Sequence, residues 1–271
     1  MKIYRLSRSF AIIALLIISF FSIAWIPENR HNNVESSTKA KPTIVLVHGA
    51  FADGSSWSKV IPILQKEGFR TVAVQNPLTS LQDDVAFVNR ILEEIDGSVV
   101  LVGHSWAGMV ITEAGNNPKV KSLVYVAAYA PDANESISDL SKEAYEIKKF
   151  PPVPGRDNPK ISNGYIQLRE ETVIKHFAHD LPIEEAKILA AVQGRFHTGN
   201  PTAKISKPAW KDKPSFYIVA DEDHIISPLM EQEMARKIKA TTYHLKASHA
   251  VMLSKPQEVA KVIIKASEGI E

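Results

Sequence analysis

From Thr43 onward the chain switches repeatedly between two hydrophobic periods. Short segments at Thr43–Val47, Thr71–Val74, Ser98–Val102, Ser122–Ala128, Ser215–Ala220 and Thr241–Leu245 read as strands, and the most apolar of these read as buried on both faces. Between them lie segments of helical period. Val60, Ile61 and Leu64 share one face of Trp57–Lys66, and Leu81, Val85, Val88, Leu92 and Ile95 recur at three- and four-residue spacing. Trp106–Ala114, Pro228–Lys239 and Pro256–Ala266 complete the helical set. Strands alternating with helices predict an α/β domain, with a mostly parallel sheet of about six strands flanked by helices.

Two regions depart from the alternation. At about Asp132–Lys213 an insertion carries the loop Phe150-Pro151-Pro152-Val153-Pro154-Gly155 and two predicted helices, Glu171–His179 and Ile183–Gln193. At the other end, Lys2, Arg5 and Arg8 precede Phe10–Ile26, which is apolar and free of charge. This is the plan of a signal peptide, with Ser22 and Ala24 as the small residues before a cut after Ala24. Trp25 and Ile26 extend the run toward the length of a membrane span, so an uncleaved anchor is the second reading. The chain therefore divides into a signal peptide or membrane anchor at 1–26, a polar tether at 27–42, and one folded domain at 43–271 with its insertion at about 132–213. Either N-terminal reading places that domain outside the cytoplasm: periplasmic, secreted, or held at the membrane by residues 10–26. Mass spectrometry of the exported protein is expected to find a new start at or near Trp25. A full-length membrane-bound form selects the anchor instead, and a full-length soluble cytoplasmic protein overturns both.

Composition narrows the function classes. With 271 residues, 45% of them hydrophobic, the chain can bury one large core. A net charge of +2 makes no electrostatic case for nucleic acid as a partner. The absence of cysteine excludes disulfides and lipidation at the cut site. No zinc-ligand spacing or Gly-rich phosphate loop occurs, so neither a metal nor a cofactor is expected.

The chemistry gathers at strand ends. In Val99–Met109 an apolar strand runs into Gly103-His104-Ser105-Trp106-Ala107-Gly108 and then a helix, which lifts Ser105 to the sheet edge in the manner of a nucleophile elbow. A nucleophilic serine needs a base and an acid that orients the base. After Ser105 the chain offers Asp221 and Asp223 beyond one strand and His249 beyond the next. This is the edge where ligands collect in open parallel sheets. Asp221 sits directly at its strand end, whereas a loop can turn Asp223 toward His249. Acyl transfer also needs N–H donors for an oxyanion. The backbone N–H groups of Trp106 and of Ala50, in His48-Gly49-Ala50-Phe51, are the candidates. His48 reads as a brace for that loop, and Phe51 and Trp57 are candidate pocket-lining residues. His176, His179, Arg195 and His197 in the insertion read as surface or structural.

These segments resemble the α/β-hydrolase superfamily, particularly small bacterial serine esterases and the plant methylesterase and hydroxynitrile lyase group. The resemblance lies in VLVHGAFADGSSW at 45–57, VAVQNPLTSLQDDV at 72–85, VVLVGHSWAGMVITEAG at 99–115, LVYVAAYAPD at 123–132, SFYIVADEDHIISP at 215–228 and ASHAVMLSKPQEV at 247–259. It implies the α/β-hydrolase fold with a helical cap at the insertion, acting as a moving lid or as a fixed pocket wall. It also implies a triad of Ser105, Asp223 and His249 cleaving a small-molecule carboxylic ester through an acyl-enzyme. Asp223-His-Ile-Ile-Ser-Pro resembles the family's acid segment, which favours Asp223 over Asp221. Ala107 departs from the family pattern, standing where a second glycine belongs, yet it is small enough for the elbow to form. Lactone, amide and carbon–carbon bond hydrolysis use the same triad. A hydroxynitrile lyase is disfavoured because Gly49 and Ala250 occupy places that hold Thr and Lys in that group. A non-catalytic ligand-binding relative has no need of Asp223 and His249.

Overall fold

The computed structural model describes residues 40–270. The N-terminal segment read as a signal peptide or anchor, and nearly all of the tether, lie outside the described residues. The strands in chain order are β1 (Thr43–Val47), β2 (Thr71–Val74), β3 (Val99–His104), β4 (Val120–Val126), β5 (Lys160–Ser162), β6 (Tyr165–Gln167), β7 (Phe196–His197), β8 (Ser215–Ala220) and β9 (Thr241–Leu245). Six of them form one sheet in the order β2-β1-β3-β4-β8-β9, with every pairing parallel. Every residue of β1 and β3 is buried, as a parallel sheet covered on both faces requires.

The strand order places the site. From β1 the chain crosses to β2 on one side, and from β3 it crosses to β4 on the other. The loops leaving β1 and β3 therefore diverge and open a crevice at the carboxyl ends of these strands. Residues 48–51 leave β1 there, and Ser105 and Trp106 leave β3, with Val47 in register with Gly103.

The helices are α1 (Ile61–Lys66), α2 (Leu81–Glu93), α3 (Ala107–Ala114), α4 (Ile137–Lys142), α5 (Glu170–Thr172), α6 (Ile183–Val192), α7 (Pro228–Lys237), α8 (Val251–Ser254) and α9 (Pro256–Ser267). α2 begins where the Ser80 hydroxyl accepts the Asp83 N–H, and it buries Leu81, Asp84, Val88 and Leu92. α9 buries Val259, Val262, Ile263 and Ala266 along one stripe.

Three local expectations are corrected. The helix expected over Trp57–Lys66 is a 3₁₀ turn at Gly54–Trp57 followed by α1, with Pro62 in its first turn. Proline removes an N–H and clashes one turn back, so it is tolerated in a first turn and not inside a helix begun at Trp57. The helix expected over Glu171–His179 is the single turn α5 continued by a π-helical turn at Val173–Phe177. The insertion also carries a small antiparallel sheet, β5-β6-β7. Its hairpin turns at Asn163 and Gly164, with φ of 50° and 78°. Both positive values are what a two-residue type I′ turn needs, and Asn-Gly is the pair that supplies them.

The insertion is tied to the sheet at several points. Gly155 N–H donates to His224 O (2.8 Å), Ala250 N–H to Phe177 O (3.0 Å) and Ser248 N–H to the Asp180 carboxylate (2.9 Å).

Candidate active site

Ser105 holds φ at 53°, a left-handed conformation that a side-chain-bearing residue adopts only under constraint, at a cost of about 1–3 kcal/mol. The constraint is visible. Ser105 N–H donates to Val126 O on β4, and Ser105 O accepts from Gly108 N–H (3.0 Å) and Tyr129 N–H (3.2 Å). Close packing surrounds the turn: a Cβ on Gly49 would lie 2.7 Å from Ser105 Cβ, and one on Gly108 would lie 2.0 Å from Tyr129 O. The need for glycine thus falls on Gly108, one residue beyond Ala107, and the elbow forms with Ala107 fully buried.

His249 is fully buried, with its Nδ1 2.5 Å from Asp223 Oδ2. A carboxylate only accepts, so the proton sits on Nδ1 and Nε2 carries the lone pair. Nε2 is buried and has no hydrogen-bond partner among the described residues. The other oxygen of Asp223 accepts the N–H groups of Ile225 (2.6 Å) and Ile226 (3.0 Å), which fixes the carboxylate plane. His104 at the end of β3 donates from Nε2 to His249 O (3.0 Å), and the Phe177 ring stands edge-on to the His249 imidazole at 4.8 Å. Burial, then the neighbouring His249, holds His104 well below the usual histidine range, so it stays neutral.

A further carboxyl stands beside this pair. Glu231 on α7 is fully buried; its Oε2 accepts the Ala220 N–H (3.0 Å), and its Oε1 has no partner among the described residues. Burial, and then the charge of Asp223, pushes its pKa well above the usual carboxylate value. Neutral, Glu231 adds no second negative charge beside Asp223. The folded chain then binds this proton more tightly than the unfolded chain, so stability falls as pH rises from about 4.3 through the folded value. Glu231→Gln keeps the shape and the acceptor for Ala220 but does not titrate. Its melting temperature relative to the wild type is expected to rise from pH 5 to pH 8.5; a constant difference across that range would show that Glu231 is not held neutral.

The loop after β1 is braced as the sequence suggests. His48 is buried; its Nε2 accepts the Asn76 N–H (2.8 Å), so its Nδ1–H donates to Gly49 O (2.8 Å). Burial lowers its pKa and keeps it neutral. In a planar trans peptide the C=O and N–H point in opposite directions, so anchoring Gly49 O aims the Ala50 N–H away from His48. The N–H groups of Ala50 and Trp106 donate to no acceptor among the described residues.

Asp84 was not singled out from the sequence, where it reads as an ordinary first-turn acid. It is fully buried, and its two oxygens accept the Trp106 indole N–H (2.7 Å) and the Leu78 N–H (2.8 Å). Burial raises its pKa to about 6 against the pull of those two donors. It fixes the residue that follows Ser105.

A cavity of about 180 Å³ opens on Ser105, lined by Ala50, Phe51, Trp106 and Tyr129 from the sheet edge and by Ile137, Arg156, Ile166, Leu168 and Phe196 from the insertion. Phe51 lines it as expected. Trp57 does not: it is fully buried beneath the loop, its hydrophobic bulk used in the core. Arg195 and His197 stand outside the cavity lining. His176 and His179 gather instead around His224, with His179 stacked on it at 4.5 Å. Tyr129 and Arg156 are the polar lining residues that the sequence reading missed.

The chain is similar to several known proteins. Probable hydrolase R7 from Phoma sp. is 27% identical over 253 residues, covering 82% of this chain and 97% of that one. Methylesterase 2 from Arabidopsis thaliana is 27% identical over 268 residues, covering 86% and 99%. The crystal structure of polyneuridine aldehyde esterase superposes with a TM-score of 0.71 at 21% identity, covering 84% of this chain and 100% of the other, a likeness of fold. The alpha/beta hydrolase family model matches residues 44–262, which takes in the β1 loop, the Ser105 elbow and the loops of Asp223 and His249. With most of its length matched, and with the sheet order and strand-end site described above, this chain belongs to the alpha/beta hydrolase family.

Proposed function

We propose that the protein hydrolyses small carboxylic esters with Ser105 as nucleophile, His249 as base and Asp223 as the acid that orients it. The observation that carries this reading is the buried His249 Nδ1–Asp223 contact at the same sheet edge as a serine held at positive φ. Relatives named as hydrolases and methylesterases support the ester class.

In the proposed reaction, Ser105 Oγ attacks the ester carbonyl carbon as its proton passes to His249 Nε2. Negative charge moves to the carbonyl oxygen, where the N–H groups of Ala50 and Trp106 stabilise it; one such donor is typically worth about 3 kcal/mol. Asp223 stabilises the imidazolium. The carbon–oxygen bond to the alcohol breaks, and the alcohol leaves with the proton from His249. Water then gives a proton to His249, attacks the acyl carbon and releases the acid, and Ser105 regains its proton. The largely apolar cavity beside Ser105 receives the substrate.

An activated fluorophosphonate tests the assignment directly. One phosphonyl group per chain is expected on the peptide containing Ser105. Labelling of a different residue, or none under conditions where the chain is folded, sinks the reading.

A further inference from the structure

Ser105 aside, the cavity is walled mostly by apolar side chains, including Ile137, Ile166, Leu168 and Phe196. Two side chains break that pattern. Tyr129 is buried to 6% exposure, its N–H is bonded to Ser105 O, and its phenol hydroxyl has no hydrogen-bond partner among the described residues. Arg156 enters from the insertion, on a 3₁₀ turn at Pro154–Arg156. That turn is pinned next to Asp223 by the Gly155 N–H to His224 O bond.

Arg156 is exposed on one side and lines the cavity on the other. Its Nη1 donates to the Ser141 hydroxyl (3.0 Å), and its guanidinium carbon lies 5.8 Å from the Tyr145 ring centroid. No carboxylate pairs with it among the described residues. A guanidinium has five N–H donors in a planar fork that matches a carboxylate. The Tyr129 phenol is the group that acts most strongly on Arg156. The place of Arg156 in the lining puts a cation within reach of a substrate bound at Ser105.

We propose that Arg156, with the Tyr129 hydroxyl, forms an anion subsite, and that the preferred substrates are small esters bearing a carboxylate. This rests on the serine hydrolase reading above. The size is consistent: at about 30 Å³ per water, a cavity of about 180 Å³ holds roughly six small groups, the scale of a short dicarboxylic half-ester. A charge-assisted hydrogen bond to a partly solvated arginine sets the expected effect at about tenfold in kcat/KM.

The test uses two matched ester pairs. Monomethyl glutarate is compared with methyl 5-methylhexanoate, and 4-acetoxybutanoate with 4-methylpentyl acetate; in each pair an isopropyl group replaces the carboxylate, on the acyl or the alcohol side. The wild type is expected to prefer the anionic member of at least one pair by about tenfold or more. That ratio is expected to collapse toward one in Arg156→Met and to be partly kept in Arg156→Lys. The wild-type ratio is itself a reading, independent of whether a variant folds. Ratios at or below one for both pairs in the wild type, or an unchanged ratio in Arg156→Met, overturn the subsite. If the neutral esters are still cleaved and Ser105→Ala abolishes that cleavage, only the subsite has failed. If no ester of either pair is cleaved, the hydrolase reading fails with it.

Discussion

Ser105→Ala is expected to lower kcat for a cleavable ester by on the order of 10⁵-fold or more, with the fold intact. The size follows from how completely the proposed mechanism depends on one oxygen. His249 Nε2 is buried with no hydrogen-bond partner among the described residues, and the N–H groups of Ala50 and Trp106, the proposed oxyanion donors, are likewise unpaired there. What survives is the acceleration that binding and the oxyanion donors give to attack by water. The substitution is also structurally mild. Alanine has the same Cβ, so the φ of 53° costs both residues about the same, and no protein hydrogen bond to the Ser105 hydroxyl is lost. Thermal unfolding should therefore shift by less than about 1 kcal/mol. Steady-state kinetics, with the melting temperature measured on the same preparation, check both halves. Activity within tenfold of the wild type would remove Ser105 from the mechanism.

The parts of this site that were legible in the sequence are those written in local pattern. Apolar runs mark most of the strands, and polar residues just past strand ends mark the edge where ligands collect, so Ser105, His249 and the Ala50 loop could be put forward without coordinates. His48 is a brace, as its position before the loop suggested. What escaped notice depends on tertiary placement. Asp84 looks like one more acid in the first turn of a helix, and only folding brings it under the Trp106 indole. Glu231 sits among polar residues of α7, and nothing local says that the helix turns it into the core beside Asp223. Arg156 and Tyr129 are far apart in sequence and meet only across the cavity. Other misses were legible. Asn163-Gly164 flanked by apolar residues is a hairpin signal, and Pro62 argues against a helix beginning at Trp57. The π-helical turn at Val173–Phe177 has no sequence marker; the structure shows what it carries, since Phe177 and the neighbouring Asp180 hold the His249 loop through Ala250 and Ser248.

The sequence alone left two acids, Asp221 and Asp223, and their surroundings predict opposite outcomes for their asparagine variants. Asp221 is partly exposed; its carboxylate meets His244 Nδ1 at 2.8 Å on the edge strand β9. Exposed pairs of this kind contribute between nothing and about 1 kcal/mol, so Asp221→Asn should change kcat by less than about tenfold. In Asp223→Asn the geometry forces a specific defect. The N–H groups of Ile225 and Ile226 both need the acceptor at the Oδ1 position, so the amide oxygen stays there. The amide NH₂ is then turned toward His249 Nδ1, which must become the acceptor. The imidazole proton moves to Nε2, the atom that has to be bare to take the proton of Ser105. Wrong tautomer and lost charge together should lower kcat at neutral pH by on the order of 10⁴. Circular dichroism establishes that both variants fold, and kinetics then decide between them. If Asp221→Asn is the inactive protein and Asp223→Asn works, the acid lies at the end of β8, and the short contact between Asp223 and His249 is structural.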